Sequence, residues 1–211
     1  MIEAVLFDFG GVVTTSPFEG FARYEAEAGL PDGLIRTINS TNPDDNAWAK
    51  LERSDVDRRE FAELFEAEGA ALGREVSALA VLECLKTKLR PAMVTAIGKL
   101  AETHKTAILT NNLVSDDSAD SRTSPTGDMH AVMHDVDVVV ESSKVGVRKP
   151  ETRFYEIACD LLGVEPSACV FLDDLGINLK PARALGMTTI KVLDGDQALE
   201  DLEAVVGRPL R

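Results

Sequence analysis

The sequence predicts an α/β fold built on a doubly wound, mainly parallel sheet, with an all-helical insertion after the first strand. Five short apolar segments lack the polar alternation of strands that face water, which indicates parallel strands buried on both faces. Helical patterns connect the later segments, as in the right-handed crossovers of doubly wound sheets. The five predicted strands are 4–7, 106–109, 136–140, 169–172 and 188–192.

One connecting helix has clear signals at both ends. Pro150 suits the first turn of a helix, and Gly163 suits the residue just past its end. The apolar residues between them would share one helical face, which predicts a helix that packs on the sheet. These residues are Phe154, Ile157, Ala158, Leu161 and Leu162.

The first two predicted strands are about 100 residues apart, too far for one crossover connection. The intervening chain has helical patterns and no strand pattern, so we expect residues 16–89 to form a helical cap domain over the mouth of the sheet. Residues 1–15 and 90–211 would form the core. The predicted helices are 18–28, 33–38, 57–68 and 77–86 in the cap and 91–103 in the core, and residues 114–129 are a predicted polar loop.

The charge and hydropathy of the 211 residues narrow the class of protein. The formal net charge is −14, which disfavours nucleic acid and anionic membrane surfaces as partners, because both require basic patches. No apolar stretch approaches the ~20 residues of a membrane-spanning helix. The amino terminus lacks the basic segment of a secretory signal. We therefore predict a cytoplasmic protein with a small-molecule substrate. A homodimer is compatible with the sequence, which carries no oligomerisation motif.

Polar clusters follow the predicted strands. Asp8 follows the first strand, Thr110-Asn111 the second and Asp173-Asp174 the fourth, while Lys149 precedes the helix that leads to the fourth. In parallel sheets these positions meet at the carboxyl edge, where ligands bind. Each feature alone has a structural explanation, such as a turn, a helix cap or a surface lysine. Together they predict a site, and the adjacent acids call for a cation.

The segments "FDFGGVV", "ILTNN", "VGVRKPE" and "FLDDLGINLKPARALGM" resemble the four motifs of the haloacid dehalogenase (HAD) superfamily. The branch they resemble most contains the N-terminal phosphatase domain of soluble epoxide hydrolases and bacterial sugar-phosphate phosphatases. The resemblance covers residues 2–15 and 93–195 and implies a Rossmann-like core. The helical insertion lies where this superfamily places its cap.

The resemblance implies roles for the residues that would act on phosphate. Asp8 resembles the nucleophile that becomes an aspartyl phosphate. Thr110 and Asn111 are similar to residues that hydrogen-bond the phosphate, and Lys149 resembles the lysine that neutralises it. The amides of the Gly10-Gly11 turn could approach the phosphate, because glycine has no side chain in the way.

The resemblance also implies a Mg²⁺ site. Asp174 resembles the direct ligand, and Asp173 a residue that acts through water. Asp8 and the backbone carbonyl of Gly10 would complete the protein ligands. Asn178 stands where many members carry a further acid that supports the metal. Mg²⁺ prefers such oxygen ligands, and it would screen Asp8 from the phosphate that it attacks.

Gly10 departs from the common pattern, in which an acid at this position protonates the leaving alcohol. General acid–base catalysis is typically worth ~10²–10⁴-fold, so we expect a phosphatase that prefers good leaving groups. Two alternatives stay open. One is a metal-free, dehalogenase-type hydrolase, which would also use Asp8. The other is a phosphate-binding or regulatory protein with little turnover.

Trp48 leaves two interpretations open within the insertion. It could stack on a sugar or aryl group of the substrate, since the insertion is expected to close over the site. It could instead pack inside the insertion, and we favour this second interpretation because large aromatic rings dominate the packing of protein cores.

Overall fold

The computed structural model describes residues 1–111 and 132–211. The predicted loop 114–129 and Asn112 of the "ILTNN" motif lie outside the described residues. Among the described residues, no helix combines the length and the hydropathy that a membrane-spanning segment requires.

Five parallel strands form one sheet in the order β3-β2-β1-β4-β5, which confirms the predicted sheet. The third strand begins two residues later than predicted. Residues Met133–Asp135 form a 3₁₀ turn before it, and the Asp137 carboxylate accepts a hydrogen bond from the Thr106 amide at 2.7 Å. The strands are β1 (Ala4–Phe7), β2 (Lys105–Thr110), β3 (Val138–Glu141), β4 (Cys169–Asp173) and β5 (Thr188–Lys191).

Both faces of the sheet are covered, which explains the lack of polar alternation in the strands. In β1, Val5 and Phe7 belong to one hydrophobic cluster, and Ala4 and Leu6 belong to another on the opposite face. Helices α6 (Pro91–Ala101) and α10 (Gly195–Val206) pack into the first cluster. Helices α8 (Thr152–Leu162) and α9 (Gly176–Ala184) pack into the second, and the short α7 (Ser142–Val145) follows β3.

Helix α8 ends at Gly163 as predicted, with the glycine at φ 63°. Its start differs from the prediction. Pro150 lies two residues before the helix, in a turn that the Glu151 amide closes on the Arg148 carbonyl at 2.8 Å. Pro150 therefore shapes the loop that carries Lys149 rather than the first turn of the helix.

The chain between β1 and β2 is helical, and its helices share a hydrophobic cluster of their own. Each predicted helix is present, with bounds that differ by a few residues. A fifth, α3, was not predicted, because its six residues lie between turn-forming residues. The helices are α1 (Pro17–Glu27), α2 (Leu34–Ser40), α3 (Ala47–Glu52), α4 (Arg58–Ala71) and α5 (Ala78–Glu83).

Trp48 of α3 packs inside this helical cluster. Its ring contacts Phe21 and Phe61 edge-to-face, with centroids 6.1 and 5.5 Å away, and lies 6.2 Å from the ring of Phe65. Its Nε1 donates to Glu52 at 2.9 Å. Trp48 therefore packs inside the insertion, which is the second of the two interpretations, and its ring contacts anchor α3.

Candidate active site

Three aspartates meet at the carboxyl edge of the sheet. Asp8 directly follows β1, Asp173 ends β4, and Asp174 follows it. One carboxylate oxygen from each lies within 4.8 Å of the others. The strand register explains this convergence, because Phe7 of β1 pairs with Leu172 of β4, which places the next residues side by side.

Lys149 enters this aspartate cluster from the loop before α8. It is only 2% exposed, and its Nζ lies 2.7 Å from Oδ1 of Asp8 and 2.9 Å from Oδ2 of Asp173. A lysine buried this deeply requires such partners. The alternative of a solvated surface lysine therefore does not describe Lys149.

Protein groups donate hydrogen bonds to both carboxylate oxygens of Asp173. The Leu175 amide donates to its Oδ1 at 2.7 Å, and Nδ2 of Asn178 lies 3.1 and 3.0 Å from its two oxygens. Nζ of Lys149 donates to Oδ2 at 2.9 Å. Asn178 donates where an acid would repel, so these contacts hold the Asp173 side chain in place beside Lys149.

Asp174 is more open than Asp173. Its Oδ2 accepts from the Ser16 hydroxyl at 3.4 Å, and Lys191 donates to its backbone carbonyl. Gly11 packs directly against it. A Cβ built on Gly11 would lie 2.2 Å from Oδ2 of Asp174, and the φ of Gly11 is +83°. The position therefore requires glycine both for its backbone and for the space that the Asp174 carboxylate occupies.

The turn after Asp8 presents backbone rather than side chains. The Phe9 amide donates to Oδ1 of Asp8 at 2.6 Å, and the Thr14 amide closes the turn on the Phe9 carbonyl at 3.0 Å. Within the described part of the chain, Oδ2 of Asp8 accepts no hydrogen bond. A Cβ on Gly10 would meet only Cδ of Pro17, at 3.9 Å, so the space for an acid exists but is not used.

Thr110 and Asn111 lie beside this cluster at the end of β2, and they differ in their contacts. Thr110 is buried, and no described residue hydrogen-bonds its hydroxyl. The Asn111 side chain pairs with the backbone of Lys149: its Nδ2 donates to the carbonyl at 3.0 Å, and its Oδ1 accepts from the amide at 2.9 Å. In this geometry Asn111 positions Lys149 rather than aiming its side chain at a phosphate.

Glu52 of α3 was not predicted as part of the site. Its Oε2 accepts from Nε of Arg148 at 2.5 Å and from Nδ2 of Asn111 at 3.1 Å, and its carbonyl accepts from the Ser142 hydroxyl at 2.7 Å. These contacts tie the helical insertion to both loops that flank Lys149. The sequence carried no signal for Glu52, since its partners are about 60 to 100 residues away along the chain.

Burial sets the protonation of the cluster. It raises the pKa of Asp8 from 3.8 to about 8; Lys149 opposes the shift, and Asp173 and Asp174 add to it. Burial also raises the pKa of Asp174, to about 6, with Asp173 adding to the effect. For Lys149, burial lowers the pKa, but Asp173 and Asp8 outweigh it, so the pKa is raised and the ammonium persists.

This arrangement fits a divalent cation. Three carboxylates against one ammonium leave two negative charges when all are ionised. Burial, with the neighbouring carboxylates adding to it, raises the pKa values of Asp8 and Asp174, and a bound cation would oppose both effects. Oδ1 of Asp174 accepts no hydrogen bond from a described residue, and together with Asp8 it offers the hard oxygen ligands that Mg²⁺ prefers.

The fold and the aspartate cluster are those of a known protein family. A family model for haloacid dehalogenase-like hydrolases matches residues 2–186, which include every residue of the cluster. The chain belongs to this family. The resemblance of its four motifs is thereby confirmed.

Curated relatives match nearly the whole chain. Mouse acyl-CoA dehydrogenase family member 10 is 34% identical over 214 residues, covering 99% of this chain and 19% of that protein. Pig bifunctional epoxide hydrolase 2 is 32% identical over 222 residues, covering 98% of this chain and 39% of that protein. The chain thus spans less than two fifths of the length of either relative.

Solved structures support the fold. An HAD-family enzyme from Bacteroides thetaiotaomicron, in complex with magnesium and inorganic phosphate, superposes with a TM-score of 0.58 at 19% identity. The match covers 90% of this chain and 94% of that one. At this identity the likeness concerns the fold alone.

Proposed function

We propose that this protein is a magnesium-dependent phosphatase that acts on a small phosphomonoester through an aspartyl phosphate on Asp8. The observation that carries the proposal is the buried Lys149–Asp8 contact beside the open carboxylate of Asp174. A lysine there neutralises both the nucleophile and a phosphate oxygen. The magnesium and phosphate of the structural neighbour lend support.

Asp8 is the nucleophile in this mechanism. Its Oδ1 is held by Lys149 and by the Phe9 amide, which leaves Oδ2 to attack phosphorus. The new bond joins Oδ2 to phosphorus, the ester P–O bond breaks, and the departing oxygen takes its proton from solvent. Water then attacks the phosphorus and loses a proton to solvent, the Asp8 carboxylate leaves, and inorganic phosphate is released. Covalent capture divides one difficult hydrolysis into two easier steps.

Charge is the main obstacle to this attack. A carboxylate and a phosphate oxygen about 3.3 Å apart repel by roughly 5 kcal/mol at an effective dielectric constant near 20. Mg²⁺ held by Asp8, Asp174 and the Gly10 carbonyl, with Asp173 behind a water, would supply the compensating charge. Lys149 supplies a second positive charge from the protein itself. Thr110 and the amides of the Gly10-Gly11 turn would bind the phosphate oxygens.

Gly10 restricts the substrates that react fast. No side chain at this position can protonate a departing alkoxide, so aryl, acyl and anomeric sugar phosphates should react faster than ordinary alkyl phosphates. The same absence should slow the attack of water on the aspartyl phosphate.

Two other functions of the same site make different predictions. A dehalogenase-type hydrolase would use Asp8 without a metal, and the cluster of three aspartates argues against it. A binding or regulatory protein would keep the phosphate site but turn over little.

The test measures 4-nitrophenyl phosphate hydrolysis with Mg²⁺ and with EDTA, and halide release from 2-chloropropionate in parallel. Magnesium-dependent nitrophenol release is the expected result. Halide release without metal would identify a dehalogenase. Binding of phosphate with no turnover of either probe would identify a binding protein.

A further inference from the structure

A cavity of about 260 Å³ lies beside Asp174 and Gly11, between the helical insertion and the end of β5. Phe18 of α1 and Arg36 of α2 line it from the insertion. Because Glu52 joins the insertion to the loops near β2 and β3, this cavity lies on the opposite flank of the site. It is therefore the space next to the proposed phosphate position that a leaving group could fill.

Three cations line this cavity: Arg36, Arg90 and Lys191. Among the described residues, none of them has a carboxylate oxygen within the 4.0 Å of an ion pair. Other arginines of the insertion, such as Arg58 and Arg59, also lack an ion pair among the described residues, but they do not line this cavity. Unpaired cations gathered in one cavity are notable in a chain with 36 acidic and 22 basic residues.

Neutral groups hold each of the three cations in place. The Arg36 guanidinium lies 5.5 Å from the centroid of the Phe18 ring. Nε of Arg90 donates to the Thr14 carbonyl at 3.0 Å, and Lys191 donates to a backbone carbonyl, that of Asp174. Because these three side chains are positioned but not neutralised, their charge is available to a ligand. They also lose less conformational entropy on ligand binding than freely moving side chains would.

The acidic residues of the lining do not cancel this charge. Glu19 lies in the first turn of α1, where the helix N-terminus favours a negative charge. The other, Asp174, is the proposed metal ligand, so its charge would be balanced by the cation.

We infer that the substrate carries a second anionic group, a carboxylate or a second phosphate, on the leaving-group side. This inference rests on the proposed phosphatase function and specifies its substrate class. The volume of about 260 Å³ corresponds to roughly nine water molecules at ~30 Å³ each, which suits a small leaving group. Arg36 and Arg90 offer the planar forks that bind carboxylate and phosphate.

The test compares kcat/KM for matched probes with Mg²⁺. Glycerol phosphate and phosphoglycerate differ in one hydroxymethyl or carboxylate group. Glucose phosphate and glucose bisphosphate differ in one phosphate. We expect at least one anionic probe to exceed its partner by about tenfold, and the pair that shows the preference assigns the second anion as carboxylate or phosphate.

The variant Arg36→Gln should reduce that ratio severalfold, because it removes one of the three cations that line the cavity. Arg36 is exposed, so its loss does not threaten the fold. The matched control is Arg59→Gln, an exposed arginine of α4 outside the cavity, which should leave the ratio unchanged. Hydrolysis of every probe without preference would overturn the inference and leave the phosphatase proposal standing. Equal loss of the ratio in both variants would also overturn it. No hydrolysis of these probes or of 4-nitrophenyl phosphate would overturn both.

Discussion

At the scale of single residues, the site depends on the pairing of the Asn111 side chain with the Lys149 backbone. Asp8, Asp173 and Asp174 were predicted to share one edge because they follow parallel strands. The pairing of the Asn111 side chain with the Lys149 backbone depends on a loop 38 residues away, which no local pattern encodes. The resemblance suggested a phosphate ligand at Asn111, whereas the geometry gives it a positioning contact.

Gly11 provides a sharp test of the Asp174 site. Gly11→Ala should abolish magnesium binding, because the new Cβ would displace the Asp174 carboxylate. The matched control is Gly207→Ala, which has a similar positive φ of 73° but no atom within 4 Å of the added Cβ. Both variants should lose about 1 kcal/mol from backbone strain. Magnesium titration calorimetry separates them, and equal magnesium affinity in the two variants would contradict the role of Asp174.

Gly10 allows the missing acid to be restored. Gly10→Asp should raise kcat/KM for alkyl phosphates more than for aryl phosphates, since kcat/KM reports the phosphoryl transfer to Asp8 and only poor leaving groups need a proton in that step. The open space beside Pro17 accommodates the side chain. Gly10→Asn, which has the same shape but cannot transfer a proton, serves as the control. An equal change for both substrate classes, or in both variants, would show that acid catalysis is not what Gly10 lacks.

At the scale of elements, the strands and the longer helices were predictable because their apolar periods are clear. Helix α3 was missed because its six residues lie between turn-forming residues and depend on the Asn46 cap and the Trp48 contacts. Its last residue, Glu52, is the one that ties the insertion to the core. Helix α3, which depends on tertiary packing, therefore carries the Glu52 contact, and the local sequence does not predict that contact.

The variant Glu52→Gln tests the contact that Glu52 makes between the insertion and the core. The variant keeps the shape but removes the charge that Arg148 faces, so we expect a loss of about 2 kcal/mol in the free energy of unfolding. We also expect a fall in kcat of about tenfold, since Asn111 and Arg148 flank Lys149. Urea denaturation and steady-state kinetics measure the two effects.

Asp55→Asn is the matched control, since Asp55 pairs with Arg53 at the exposed surface of the same insertion. It should cost at most about 1 kcal/mol and leave kcat unchanged. A kcat for Glu52→Gln equal to that of the control would mean that the contact contributes only to stability.

At the scale of the whole molecule, the aspartate cluster links stability to pH and to metal. The folded pKa of Asp8, about 8, and that of Asp174, about 6, both exceed the unfolded value of 3.8. Between pH 3.8 and 8 the folded state therefore holds protons that the unfolded state has lost. Without metal, the free energy of unfolding should fall as pH rises through this window.

Magnesium competes with those protons, so its affinity should increase with pH over the same range. Thermal unfolding from pH 5 to 8, with EDTA and with Mg²⁺, measures both effects. The increase of Tm on adding Mg²⁺ should be larger at pH 8 than at pH 5, and it should shrink in Asp8→Asn. A magnesium effect independent of pH would mean that the metal does not bind at the aspartates.

The proposed phosphatase mechanism depends on the transfer of the phosphoryl group to Asp8. Because Gly10 cannot activate water, the aspartyl phosphate should accumulate when the leaving group is good. Rapid mixing with 4-nitrophenyl phosphate and Mg²⁺ should release nitrophenol in a burst equal to the concentration of protein. The quenched protein should carry hydroxylamine-labile phosphate on the peptide that contains Asp8, and Asp8→Asn should show neither. Turnover that persists in Asp8→Asn, with no phosphate on that peptide in the unmodified chain, would contradict the account.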